Sequence, residues 1–356
     1  MQHRQDKIST VSYKQCGVIK GEPLYLITLK NQAITVNITN LGGTVMSVFA
    51  PDRNGIVKNI TAGYKDADAY ANNPWYFGCV AGRYANRIAG GKFLLNGQIM
   101  QLSVNNSGNH LHGGFEGLHK KVWTVTSLDK EDTENSVELE YLSEDGEEGY
   151  SGNLRVKVKY MLNQSNQLVI RYTAVTDKST PVNLTNHSYF NLTGFGHATV
   201  ADHFLYVNAG FYTEKNENNI PTGRILPVAG TPLDFSVPVK VGAHFDQFPL
   251  DMGFDHNYVL SHVVHGEMLL AAELEDKDSG RRLRVYTDQP GIQVYTANYW
   301  DGSITGQQGM PYVKHGAIAL ETQAFPDSPN HPGFPNTILE PGQHYHSSTV
   351  YEFGTT

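Results

Sequence analysis

Cysteine is nearly missing from this chain: among 356 residues there are two, Cys16 and Cys79. A disulfide framework is therefore not expected, and a reducing compartment fits. Long apolar runs are missing too. None approaches the roughly eighteen residues a transmembrane helix needs, and Met1 to Thr10 has charges with no apolar stretch behind them, unlike a signal peptide. A cytoplasmic location away from membranes is the resulting expectation. Charge is sparse, at 17% of residues, and the balance is negative, at −8. No basic cluster has the density of a nucleic-acid face, which argues against that partner. Helical periodicity is poor, and no linker, composition shift or fixed-period repeat divides the chain.

What is abundant is alternation. Leu154, Val156, Val158 and Tyr160 share one parity while Arg155, Lys157 and Lys159 take the other. Val137, Leu139 and Tyr141 repeat the pattern, as do Leu168, Ile170 and Tyr172. Strands of this kind are half buried, as in antiparallel sheets. Asn54-Gly55, Asn96-Gly97 and Asp145-Gly146 supply the positive φ that tight turns require. Thirty-five glycines and sixteen prolines punctuate many short strands. The segment Met268 to Glu275 has helix-favouring composition, but Asp278-Ser279-Gly280 and a strand-like Arg282 to Thr287 follow, so a hairpin is expected. The fold class is all-β: one large antiparallel β-sandwich over residues 11–356, preceded by an extension over 1–10.

The chemistry concentrates in a few stretches. Asn183-Leu184-Thr185-Asn186-His187-Ser188-Tyr189-Phe190-Asn191-Leu192 puts one imidazole among amides, hydroxyls and aromatic rings. Apolar surface with a few convergent polar groups is the usual make-up of a small-molecule site, and sugars demand it, having hydroxyls to satisfy and C–H faces to cover. Gly82 to Ile88, Asn109 to Gly114, Gly253 to Asn257, Gln289 to Gln293 and Leu320 to Gln323 each add groups suited to a polyhydroxylated ligand. Glu321 ends the apolar run Ala317 to Leu320. Burial there would raise its proton affinity and make it a base near neutrality. It could equally be an exposed strand-end carboxylate or the partner of an arginine. His187 is open in the same way, since a buried histidine bonded to a carbonyl is common. His110 and His112, like His344 and His346, sit two apart and would share a strand face, yet no third ligand of defined spacing accompanies either pair. Metal is set aside on that ground. Ser188 has no nucleophile-elbow context, and Glu147-Glu148 reads as a solvated turn.

Taken together, these blocks resemble the aldose 1-epimerase (galactose mutarotase) family. The match runs through Gly82 to Ile88, Leu111 to Gly114, Asp145 to Tyr150, Pro181 to Leu192, Gly253 to Asn257, Gln289 to Gln293 and Leu320 to Gln323, with Pro326-Asp327 following. The resemblance implies a large antiparallel β-sandwich and interconversion of the anomers of free aldohexoses without a cofactor. It implies Glu321 as general base, His187 as general acid and His112 as an assistant near the ring oxygen. Asp255 would hold sugar hydroxyls, with Asn86, Arg87 and Gln293 completing the polar wall. Burial should raise the Glu321 pKa, and a nearby carboxylate should raise that of His187. Two departures stand out: Ser151 replaces a common proline, and Ala324-Phe325 replaces an Asn-Trp pair that could cover the sugar's apolar face. The expected partner is a small sugar, with the chain a monomer or weak homodimer. Competing readings are an epimerase of hexose phosphates, which needs more cations than Arg87 and the surplus Arg83; a glycoside hydrolase or lyase, which needs a carboxylate pair; and a non-catalytic carbohydrate-binding sandwich.

Overall fold

A computed structural model of the chain describes residues 10–131, 133–261 and 267–356. Of the expected extension, residues 1–9 lie outside that range and Thr10 opens the first strand. The described residues form antiparallel sheets joined by short 3-10 turns. No helix among them is long and apolar enough to cross a membrane.

Three sheets carry the architecture. The first is a meander of five consecutive strands, Thr10–Ile19, Glu22–Lys30, Thr35–Thr39, Thr44–Pro51 and Val57–Asn59. The second has nine strands, running from Thr124–Lys130 through Glu134–Ser143, Leu154–Asn163, Gln167–Thr176 and Tyr345–Thr355 to Arg281–Thr287, Leu269–Glu275, Phe204–Val207 and Val239–Lys240. The third has six, in the order Tyr189–Phe190, Ile318–Gln323, Gly291–Tyr295, Asp255–Leu260, Ala209–Lys215 and Pro221–Pro227.

The alternation read from sequence decides which faces are buried. Leu154, Val156, Val158 and Tyr160 are wholly inaccessible, as are Val137, Leu139 and Ile170. On the opposite face Arg155 pairs with Glu140, and Lys157 with Glu138. The inward residues join Ile27, Val36 and Ile38 of the meander and Ile292, Val294, Ile318 and Leu320 of the six-stranded sheet in one core. Each large apolar side chain so buried contributes roughly 1.5–3 kcal/mol. Leu269–Glu275 and Arg281–Thr287 form the expected hairpin. Asn96 and Gly97, both at positive φ, turn the hairpin of Lys92–Leu95 and Gln98–Gln101.

One consequence of period two places the site. In Ile318–Gln323 the even residues enter the core, where Thr322 meets Thr349. Ala319, Glu321 and Gln323 must then face the other way. The cross-strand partners Gln293 and Asn257 lie in register with Glu321, while Tyr295 and Asp255 lie in register with Ala319. The far face of the six-stranded sheet is thus a polar floor under a layer of loops.

Candidate active site

That floor opens into a cavity of about 170 Å³. Polar groups of Asn86, Arg87, Asn106, His112, His187, Asp255 and Glu321 line it, together with the rings of Trp75, Tyr76, Tyr189, Tyr295 and Tyr299. Six of the seven site residues expected from sequence line one space. The seventh, Gln293, acts from just behind: its Nε2 donates to Asp255 Oδ1 at 2.6 Å. Arg87 Nη1 lies 3.8 Å from the other oxygen of Asp255. The carboxylate of Asp255 is thereby oriented by one hydrogen bond and one ion pair, from different strands.

His187 and Glu321 are only 4% and 2% exposed, and His187 Nε2 lies 3.5 Å from Glu321 Oε1. Backbone register produces this meeting. Tyr189 pairs with Ala319 and Phe190 with Ile318, and continuing that antiparallel register two residues sets His187 opposite Glu321. On its other side His187 exchanges backbone hydrogen bonds with Gly78 and Cys79. The ring sits against Tyr189 at 4.8 Å and His112 at 5.2 Å between centroids.

His112 arrives by a second short pairing. His110–Leu111 pairs with Arg87–Ile88, which brings His112 beside Asn86. The Asn86 backbone N–H donates to His112 Nδ1 at 3.1 Å, and the His112 N–H returns a bond to the Asn86 carbonyl. An Nδ1 that accepts leaves the proton of a neutral ring on Nε2, so His112 is a donor toward the cavity. The Asn86 Oδ1 accepts from Arg87 N at 2.9 Å, leaving its amide NH₂ for a ligand. Tyr76 covers this group, its ring centroid 4.6 Å from His112 and 4.7 Å from His119.

Burial dominates the electrostatics. It pushes the Glu321 pKa well above the usual carboxylate value, with the Asp255 charge adding and Arg87 opposing. It pushes His187 down to about 4, against a smaller upward pull from Asp255. The expected rise of the His187 pKa is therefore corrected: desolvation outweighs the neighbouring carboxylate. His112 is likewise driven well below 6.5, by burial first and by His187 and Arg87 next. The opposite shifts, Glu321 up and His187 down, disfavour two separated charges across their 3.5 Å approach.

The ligating atoms of His112, His187 and Glu321 lie within 4.8 Å of one another, a grouping that sequence spacing did not suggest. A metal there would need His112 Nε2 unprotonated, which the Asn86 amide opposes by claiming the Nδ1 lone pair. The donor set fits proton transfer better than ligation.

Other sequence expectations are corrected. His110 and His112 do not share a strand face, because His112 takes a left-handed backbone (φ 48°) and turns away. His110 instead donates from Nδ1 to the Ser103 carbonyl at 2.7 Å and meets the Tyr150 hydroxyl at 2.6 Å. His344 and His346 do share a face, their rings 6.0 Å apart. Glu147-Glu148 is no solvated turn: Glu147 pairs with Lys121, and Glu148 accepts from the N–H groups of Phe115 and Glu116. Arg83 is buried and bonded to backbone carbonyls, outside the cavity. Phe325 packs on Phe334 rather than lining the cavity, so the Ala324-Phe325 departure leaves the cavity wall untouched.

Sequence reasoning missed the aromatic cover. Tyr295 carries a usable signal, standing two residues after Gln293 on the same strand face. Trp75 and Tyr76 lie in the turn that runs from Asn73 and carry none; nor does Tyr299, 43% exposed at the rim.

With this geometry in place, comparison with known proteins is direct. The sequence model described as aldose 1-epimerase matches residues 25–352. The galactose mutarotase of Mus musculus is 42% identical over 325 residues, covering 91% of this chain and 92% of that protein. The aldose 1-epimerase of Escherichia coli K12 is 36% identical over 340 residues, covering 94% and 96%. The crystal structure of galactose 1-epimerase from Lactobacillus acidophilus superimposes with a TM-score of 0.86 at 28% identity, covering 98% of this chain and 99% of that one. The chain belongs to the aldose 1-epimerase family.

Proposed function

We propose that this chain is an aldose 1-epimerase, interconverting the α and β anomers of a free aldohexose through its open-chain aldehyde, with Glu321 and His187 as the proton-transferring pair. The observation that carries this reading is their 3.5 Å approach on the buried floor of an aromatic-walled cavity. Ring opening needs one proton removed from the C1 hydroxyl and one delivered to the ring oxygen. The reaction needs the pair's proton on His187, a state that burial disfavours in the free cavity and that the bound sugar's hydroxyls must stabilise; Glu321 is then the base and His187 the acid. After rotation about C1–C2 the two exchange roles and close the ring on the other carbonyl face. His112 donates from Nε2 toward the ring oxygen. Asp255, aimed by Gln293 and Arg87, accepts from sugar hydroxyls, and Asn86 offers its amide.

Two positioned proton-transfer groups, each worth roughly 10²–10⁴ in rate, suffice for a reaction that already proceeds slowly in water. A small sugar is the one partner this chemistry requires. Among the described lining residues Arg87 is the sole Lys or Arg, and Arg83 is consumed elsewhere, which weighs against a hexose-phosphate substrate. Asp255 is tied to Arg87 and Gln293, which suits hydroxyl binding better than the second carboxylate of a glycosidase.

Polarimetry on freshly dissolved α-glucose or α-galactose tests the reading. Accelerated relaxation to the equilibrium rotation is expected; an unchanged rate with sugar bound would leave a binding module, and release of sugar from an aryl glycoside would point to hydrolysis. Asp255→Ala should raise KM by about 10- to 10²-fold, the loss of charge-assisted hydrogen bonds, and an unaltered KM would remove it from substrate binding. For His187→Asn, kcat should fall by about 10²–10⁴. A fully active variant would transfer the acid role to His112.

A further inference from the structure

Two of the sequence blocks, Arg83 and Asp145 to Tyr150, touch nothing in the cavity, yet the loops that deliver His112 and Asn86 are both bonded to them. The loop between the strands Glu134–Ser143 and Leu154–Asn163 folds back as a short 3-10 turn, Glu147–Gly149. At one side the buried Arg83 guanidinium grips it. Nε donates to Ser143 Oγ at 2.8 Å, Nη2 to the carbonyls of Ser143 and Glu144 at 2.9 and 2.8 Å, and Nη1 to those of Ser151 and Gly152 at 3.1 and 2.9 Å. All five donors of an arginine are thereby used. Arg83 stands three residues before Asn86, so the segment presenting Asn86 and Arg87 is fastened to this loop.

At the other side the loop reaches the segment after His112. Glu148 Oε1 accepts from Glu116 N at 2.7 Å, and Oε2 accepts from Phe115 N at 3.2 Å and from Ser103 Oγ. The Ser103 N–H donates in turn to the Glu148 carbonyl at 3.0 Å. His110 closes the circuit: its Nδ1–H goes to the Ser103 carbonyl, so its Nε2 accepts from Tyr150. Glycine makes the close approach possible. At Gly114, φ is +98° and an added Cβ would lie 2.1 Å from Glu148 Oε2. At Gly113, φ is +87° and a Cβ would lie 1.7 Å from the Gly82 carbonyl oxygen.

The geometry points to Glu148 as a positioning residue: with Arg83 it makes the 143–152 loop a strut that holds His112 against the Asn86 amide, so that His112 presents Nε2–H to the sugar. Neither Glu148 nor Arg83 lines the cavity: Glu148 acts through His112, and Arg83 steadies the segment that carries Asn86. Charge-assisted bonds to a carboxylate are about twice as strong as neutral ones, and two backbone N–H groups with one hydroxyl converge on this one. Its removal frees the loop at Phe115 and Glu116, and the His112 ring then samples both tautomers.

The inference rests on the epimerase reading for its kinetic consequence but not for its structural one, and the test separates the two. Glu148→Ala and the near-isosteric Glu148→Gln are compared with wild type by mutarotation kinetics and by long-range ¹H–¹⁵N NMR of the histidine rings. Wild type should show His112 as the Nε2–H tautomer with unprotonated Nδ1. Glu148→Ala should show mixed tautomers and a kcat lowered roughly 10²-fold, the scale of a misplacement of about 1 Å. KM should stay within about threefold, because the Asp255–Gln293 bond lies on the six-stranded sheet and the Arg83 bonds that hold the Asn86–Arg87 segment do not involve the Glu148 side chain. Ser103→Ala, which removes one of the three donors, should give a smaller loss of the same kind, and it decides the matter if the Glu148 variants do not fold. A single unaltered His112 tautomer in folded variants, or kcat within about twofold of wild type, overturns the proposal. Failure of wild type to catalyse mutarotation would refute the epimerase reading, while a tautomer change on substituting Glu148 would still uphold the strut.

Discussion

Glu321→Gln should lower kcat by roughly 10²–10⁴ or more and leave KM within a few-fold of wild type. Glutamine keeps the shape and a hydrogen-bonding oxygen, so the cavity wall and the sugar's footing on Asp255, Arg87 and Asn86 persist. What it lacks is a site for the C1 proton. The environment makes this loss hard to repair. Glu321 is buried at the centre of its strand, and Asp255, the other carboxylate lining the cavity, is occupied by Gln293 and Arg87. Water is a poor substitute base. A drop in kcat with constant KM is the signature of an interaction made only in the transition state. Stopped-flow polarimetry, or coupled oxidation of the β-anomer, gives both parameters. A variant with near-normal turnover would end the assignment of Glu321 as base and would leave His187 to work with an unidentified partner.

Thermal stability should collapse as pH falls from about 7 to about 5, because several buried histidines cannot accept protons in the folded state. Burial depresses His187 and His203 to about 4 and His119 to about 3, and drives His112 and His256 well below 6.5. In the unfolded chain each titrates near 6.5. A depressed folded pKa contributes its full stability above the unfolded value, and that contribution is lost as pH falls toward the folded value. Between about pH 6.5 and pH 4 the unfolded chain takes up protons that the fold refuses. At pH 5 a histidine held near 3 or 4 costs roughly 2 kcal/mol. Glu321 works the other way: its raised folded pKa adds stability as pH falls, against the trend of the histidines. His187, His203 and His119 together amount to several kcal/mol, comparable to the ~5–15 kcal/mol by which domains are stable at all. Tm followed by circular dichroism should therefore drop steeply across this window. His119→Gln, at a position outside the cavity lining, should flatten the slope by about one proton. A Tm that stays constant from pH 7 to pH 5 would mean that these rings are hydrated in solution.

The aldose 1-epimerase fold was largely legible because its signal is local. A strand's side chains alternate whatever lies next to it, so Leu154 to Tyr160 announced a half-buried strand from their own spacing. Asn96-Gly97 likewise announced a turn from its backbone preferences alone. At Glu321 the apolar run before it made a buried carboxylate one open reading, beside an exposed strand end or an arginine partner, and only the layers packed above it settled on burial. The blocks around Asn86, His112, His187 and Asp255 were readable through their residue types and their order along the chain.

The rest depended on partners far away in sequence. Nothing within ten residues of His187 says that Tyr189 pairs with Ala319, and that register alone carries Glu321 to within 3.5 Å. The direction of the His187 pKa was misjudged because a nearby charge can be guessed from composition, whereas the depth of burial is a property of every layer packed above. Glu147-Glu148 read as a hydrated turn because its partners, Lys121 and the amides of Phe115 and Glu116, come from another loop. Trp75, Tyr76 and Tyr299 lie on connections whose paths no periodicity sets. Local sequence thus determined which residues form strands and which face each takes. Only the tertiary structure decided which faces meet, how dry the space between them is, and hence how strongly its buried groups resist charge.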